Sequence, residues 1–163
     1  MSVEYSWDAP DTAVAVIDST GTSGLSSGAD LKNLATAAYV ITPLITPAAP
    51  LPAYVSYMCK SKLASATSVS GKTFLQAWFL HKTDGTNVSS ETGTVIPSRA
   101  PDFIITWPQI ANAGGYYLVS TPWLILRPPW PYEILLLNSV GQSTTNVNND
   151  NILYEVTFND KGT

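Results

Sequence analysis

Short blocks of β-branched and aromatic residues, each closed off by Gly, Pro, Asn or Ser, recur along this chain and leave little room for an amphipathic helix. The sharpest single restriction is Arg127-Pro128-Pro129-Trp130-Pro131. Three prolines within four residues remove backbone donors, forbid helix and hold the preceding residues extended. This segment predicts a rigid corner. It feeds Tyr132 to Asn138, in which Ile134-Leu135-Leu136-Leu137 is apolar on both faces. A strand of that kind is expected to be central and covered on both sides, or to face a partner chain.

The other blocks follow the same logic. Ala13 to Ile17 is an apolar run, and Tyr39 to Ile45 is β-rich but interrupted by Pro43, which suits an edge or a bulge. In Ala53 to Lys62, Val55, Tyr57 and Cys59 alternate with Tyr54, Ser56, Met58 and Lys60, the period of a half-buried strand. Thr73 to His81 is its expected partner, across a long hairpin connection at 63–72, and Asp84-Gly85 supplies turn chemistry after it. Asp102 to Trp107 predicts a strand, as does Tyr116 to Leu126 with a break at Pro122. Ser139 to Asp150 reads as a polar loop, and Asn151 to Phe158 alternates Ile152, Tyr154, Val156 and Phe158 against Asn151, Leu153, Glu155 and Thr157.

Seven or eight strands with little helix predict an all-β fold, an antiparallel β-sandwich of jelly-roll type. With 163 residues the chain is about one domain long, so residues 1–12 are expected to form an N-terminal arm and residues 13–163 a single sandwich. No internal repeat points to a propeller or solenoid.

Charge narrows the partners. Charged residues make up 12% of the chain, about half the roughly 25% of an ordinary soluble domain, and the formal net charge is −4. The eight basic residues are scattered, without the stripe needed to displace counterions from phosphate, so no nucleic acid partner is expected. The uncharged stretch from Asn33 to Cys59 is long enough for a bilayer span, but Pro43, Pro47, Pro50 and Pro52 block a continuous helix. An extended or strand-loop-strand path, with no membrane partner, is the expectation. The N-terminal residues lack the order of a secretory signal, and the single cysteine, Cys59, fits synthesis in a reducing cytoplasm.

Catalytic chemistry finds few footholds. The one histidine, His81, closes an apparent strand and could serve a nucleophilic triad only with Ser and Asp from elsewhere. No Gly-x-Ser-x-Gly elbow supports that reading. Zinc would need more His and Cys than one of each. The carboxylates nearest to aromatic residues, Asp8, Asp102, Glu133 and Glu155, could form a glycosidase pair only if the fold brought two of them together. Asp84-Gly85-Thr86-Asn87 and Asn148-Asn149-Asp150-Asn151 offer oxygens without a full calcium-loop pattern. No catalytic residue, cofactor or metal is therefore assigned. Trp78 and Trp107 sit in apolar runs and are expected in the core, whereas Trp7 and Trp130 lie outside such runs. Tyr5, Trp7, Trp130 and Tyr132 are the candidate partner-binding residues, and exposed Trp130 and Tyr132 would also suit a carbohydrate ring.

The order of segments resembles jelly-roll virion proteins of tailed bacteriophages. The resemblance rests on the small-residue lead Gly24-Leu25-Ser26-Ser27-Gly28-Ala29 and on the strand pair Ala53 to Ser61 and Thr73 to His81 closed by Asp84-Gly85. Above all it rests on the ending: Trp130-Pro131-Tyr132-Glu133 into an apolar strand, then Asn138-Ser139-Val140-Gly141, a polar loop, and an Asn-led strand with Tyr154. It covers most of the chain by pattern rather than by an invariant motif. What it implies is a non-enzymatic capsid decoration or cement protein on the outer capsid surface of the virion. Its implied partners are the major capsid protein and neighbouring copies of itself, as a homotrimer; a tail or baseplate position is the close variant. Residues Tyr5-Ser6-Trp7-Asp8-Ala9-Pro10 depart from the shorter leads of that pattern.

Overall fold

The computed structural model describes residues 14–17, 31–47, 54–64, 74–84, 86, 96–106, 117–120, 124–147 and 150–158. The arm expected at 1–12, with Tyr5 and Trp7, lies outside the described residues, as do Trp107, Trp123 and the Gly24 to Ala29 lead. Nine strands are described: β1 (Val14–Ile17), β2 (Tyr39–Ile41), β3 (Tyr54–Ser61), β4 (Phe74–His81), β5 (Phe103–Thr106), β6 (Tyr117–Ser120), β7 (Ile125–Leu126), β8 (Tyr132–Asn138) and β9 (Ile152–Phe158). No helix occurs among the described residues, so none there is long and apolar enough to cross a membrane.

All pairings are antiparallel and fall into two sheets. One runs β1-β9-β3-β6, with β7 also paired to β3 beyond the end of β6; the other runs β2-β8-β4-β5. β6 and β7 lie on the same side of β3, at Met58 to Ser61 and at Tyr54 to Val55 respectively, and count together as one interrupted strand. With those two taken together, β1 pairs with β9, β2 with β8, β3 with β6 and β7, and β4 with β5. Each strand thus pairs with the one equally far from the β4–β5 connection, as in a long hairpin. Further pairing of β3 with β9 and of β4 with β8 rolls that hairpin into two sheets.

One hydrophobic cluster joins inward residues of both sheets: Val55, Tyr57, Cys59 and Leu153 from the first, and Val40, Leu75, Ala77, Phe79, Phe103, Ile105, Tyr132, Ile134 and Leu136 from the second. The two sheets therefore pack face to face as an all-β, sandwich-like fold. Within it Tyr57 stacks on Phe103 at 4.7 Å, and Phe79 meets the Tyr132 ring edge-on at 5.2 Å. A smaller cluster of Trp78, Leu80 and Leu135 lies on the other side of the second sheet, where the Trp78 indole donates to the Arg99 carbonyl. β8, central between β2 and β4, is buried on both sides, as its apolar run required.

Two expectations are revised by this topology. Thr73 to His81 is not the hairpin partner of Ala53 to Lys62: β4 lies in the second sheet, and the 63–72 connection crosses between sheets. The reason is that Leu75, Ala77 and Phe79 fill one face of β4 while Trp78 and Leu80 fill the other, which demands cover on both sides. β3 instead takes β9 as its long partner. The polar segment from Ser139 is also no simple surface loop, because Thr144, Thr145 and Asp150 are buried. The Thr144 hydroxyl donates to the Leu31 carbonyl and accepts from Leu34 N–H at 2.8 Å, while Asn138 donates to the carbonyls of Leu34 and Gln142. Asn151 accepts from the Ser61 hydroxyl at 2.6 Å and from Lys62 N–H, and donates to Thr145. These bonds satisfy the side chains of Asn138, Thr144 and Asn151 that the segment carries inward.

Candidate functional site

The densest polar constellation described lies inside the sandwich, where Tyr57 on β3, Glu155 on β9 and Tyr132 on β8 meet Arg127 from the proline corner. Both tyrosine hydroxyls donate to Glu155 Oε2, at 2.9 Å from Tyr57 and 2.8 Å from Tyr132. The Arg127 guanidinium reaches Glu155 Oε1 at 2.5 Å and the Tyr132 hydroxyl at 3.3 Å. The ion pair is nearly dry, with side-chain exposures of 9% and 6%. Both carboxylate oxygens are thereby spent on internal partners, so the group joins the two sheets and ties the proline corner to them.

Burial sets the proton affinities. It pushes the Tyr57 hydroxyl well above its usual range, with the Glu155 charge adding to the effect, and raises Tyr132 to about 12 for the same two reasons in the same order. Burial alone would lower Arg127, but the Tyr132 hydrogen bond and the Glu155 charge outweigh it and hold the guanidinium above its ordinary value. A folded-state tyrosine pKa above the unfolded value of about 10 stabilises the fold fully below pH 10, and this contribution is lost as pH rises toward 12. Urea midpoints are therefore expected to begin falling near pH 9, where the unfolded Cys59 thiol ionises while burial holds the folded one up at about 12, and to fall more steeply above pH 10 as the tyrosines follow. Tyr132 alone accounts for about 2–3 kcal/mol of that fall. Tyr132→Phe is expected to flatten the decline; an unchanged slope would show that Tyr132 is not the titrating group.

Tyr132, expected as an exposed partner-binding aromatic, is fully buried at 0% exposure. Its hydroxyl donates to Glu155 and accepts from Arg127, which is why the polar tip of a tyrosine can sit in this core. Trp130 is found where it was expected, on the surface at 48% exposure. Close to it in the chain stand Leu124 and Leu126, both exposed, on either side of the inward Ile125. Trp78 is in the core as expected.

Each described carboxylate candidate is held by a partner of its own. Asp102 accepts from Phe79 N–H at 2.7 Å and is bridged by Arg99, Glu133 is bound by Lys82 at 2.6 Å, and Glu155 belongs to the buried group. Asp8 lies outside the described residues. His81 sits opposite Tyr132 at the end of β4, and its buried Nδ1 has no hydrogen-bond partner among the described residues, so no described carboxylate orients the ring from that side. Cys59 is buried and free, and burial raises its thiol to about 12, which leaves it a packing residue rather than a nucleophile. Asp84 accepts from Thr86 N–H, an Asx turn, and Asp150 accepts from the Thr145 hydroxyl.

No family model, curated protein or solved structure matches the chain. The part of this arrangement that sequence reasoning missed is the role of Arg127 and Glu155 as one unit. A signal existed in retrospect only as a single charged residue in each of two otherwise apolar or proline-rich segments.

Proposed function

We propose that the protein is a non-enzymatic structural component of a tailed-bacteriophage particle, a decoration or cement subunit that binds and stabilises the outer capsid surface. The observation that carries this reading is the rolled-hairpin pairing, in which eight strands, counting β6 and β7 as one, divide four and four. That order supports a jelly roll, an architecture recurrent in viral capsid and lectin domains, and it agrees with the resemblance carried by the C-terminal segments. The described carboxylates named above are engaged in structural contacts, which adds support from the chemistry. The exposed apolar groups Leu124, Leu126 and Trp130 supply surface that is inexpensive to desolvate against a shell.

The test is to add the purified protein to capsids that lack it. Saturable occupancy with a rise in the temperature of capsid disruption is expected, since a ligand of the folded shell stabilises it by mass action. Capsids that gain neither would overturn the reading, and binding to isolated tails instead would move the protein to the tail or baseplate. The exposed indole of Trp130 favours one second reading, a carbohydrate-binding module. That reading expects saturable signals on a glycan array that Trp130→Ala weakens at least about tenfold, about 1.4 kcal/mol, and a blank array would end it.

A further inference from the structure

β4 outruns one of its two neighbours. It spans Phe74–His81 and pairs with β8 as far as His81, but its pairing with β5 stops at Ala77, opposite Phe103. Carrying that register two residues further would set Phe79 opposite Pro101. A proline has no N–H to give the Phe79 carbonyl, so the ladder cannot run on. An edge left unfinished in this way offers a backbone N–H and C=O to any strand that approaches.

Two side chains close it. Asp102, whose own N–H still bonds the Ala77 carbonyl at 2.8 Å, accepts the Phe79 N–H on Oδ2 at 2.7 Å. Arg99 Nη2 donates to the Phe79 carbonyl at 2.9 Å, and Nη1 bridges both Asp102 oxygens at 2.8 Å. The Trp78 indole fixes Arg99 in turn, by its bond to the Arg99 carbonyl at 3.1 Å. Both backbone groups of Phe79 are thus taken by the residues that flank Pro101 at close range. The Arg99 and Asp102 side chains are 37% and 30% exposed, so their ion pairing adds little to stability. What the arrangement uses is their geometry. We propose that Arg99 and Asp102 are an edge guard, a side-chain clasp that stands in for the strand Pro101 cannot supply and keeps β4 from pairing with a strand of another copy. The guard does not depend on the virion reading.

Residue-resolved amide exchange, together with sedimentation of the full chain from about 1 to about 100 µM, tests it. In dilute Asp102→Ala the Phe79 amide is expected to exchange at least about tenfold faster than in wild type, as a local opening of the edge. On concentration this variant is expected to associate further than wild type does, and the Phe79 amide to slow again, because in a purified sample the only strands on offer are those of other copies. Asp102→Asn keeps an acceptor for that amide and is expected to behave as wild type. If Asp102→Ala fails to fold, Arg99→Ala, which frees only the Phe79 carbonyl, replaces it and is expected to associate likewise. A folded variant that sediments as wild type does at every concentration overturns the proposal. So does association that leaves the Phe79 amide fast, which would place the contact elsewhere, and so does an Asp102→Asn that associates as Asp102→Ala does.

Discussion

Arg127→Ala is expected to cost about 3–5 kcal/mol of folding stability, because it leaves the Glu155 charge buried without its cation. Against a typical total of about 5–15 kcal/mol, that is enough to bring the fold close to its threshold. The magnitude follows from position rather than from ion pairing as such: at the surface the same two groups would contribute about 0–1 kcal/mol. Here Glu155 Oε1 loses a 2.5 Å partner that no other described cation replaces, and the Tyr132 hydroxyl loses a neighbour at 3.3 Å. Urea unfolding at pH 7 checks the result. A double replacement, Arg127→Met with Glu155→Leu, separates the penalty of an orphaned charge from the value of the pair. It is expected to recover only part of the loss: apolar substitutes remove the orphaned charge, but the buried Tyr57 and Tyr132 hydroxyls lose the acceptor they share. A single replacement costing under about 1 kcal/mol would mean that water reaches Glu155 and that the pair behaves as a surface pair.

The second large effect is expected at Leu135→Ala, at about 2–5 kcal/mol, the range for a leucine deleted from a core that cannot fully collapse. Leu135 points away from the main core, so on a sandwich with a solvated outer face its loss would matter little. Its complete burial with Trp78 and Leu80 makes the satellite cluster a second core. Leu126→Ala, on the exposed rim of the first sheet, is the internal control and should fall within about 0.5 kcal/mol. Equal and small effects at the two leucines would mean that the outer side of the second sheet is open to water.

Several strands were legible in the residues alone because their alternation, or their two-sided apolar character, survives without knowledge of partners. β8 and β9 match their expected spans closely, and β2, which ends two residues before Pro43, is an edge strand, one of the two places that proline was expected to suit. Partner choice was less legible. Adjacency in sequence favoured a β3–β4 hairpin, whereas the two faces of β4 were each apolar enough to require a different sheet from β3. In β9 the alternation was clear, but which set faces inward was not. The more apolar set, Ile152, Tyr154, Val156 and Phe158, turned outward, because Glu155 found Arg127 and two tyrosines inside. That pairing joins residues far apart in the chain, and no local pattern carries it. Tyr132 was misplaced for the same reason, while Trp130, held beside prolines at a corner, could be assigned to the surface from its immediate neighbours.

The rolled hairpin has a consequence for how the chain reaches this state. Pairing grows less local with every step away from the β4–β5 tip, until Val14 meets Glu155 near opposite ends of the chain. Closing each wider loop costs more entropy than the last, although the increment is only about 0.6 kcal/mol per doubling of length. The favoured folding order therefore runs outward from the tip, with β4, β5 and β8 assembling before β1 is captured. Since Glu155 and Arg127 are joined late in that order, the newly made chain carries an acidic and a basic group in solvent until the sheets close over them. High contact order makes the process slow for a domain of this size, and during that interval the two-sided apolar strand β8 is the segment most in need of protection from other unfolded copies.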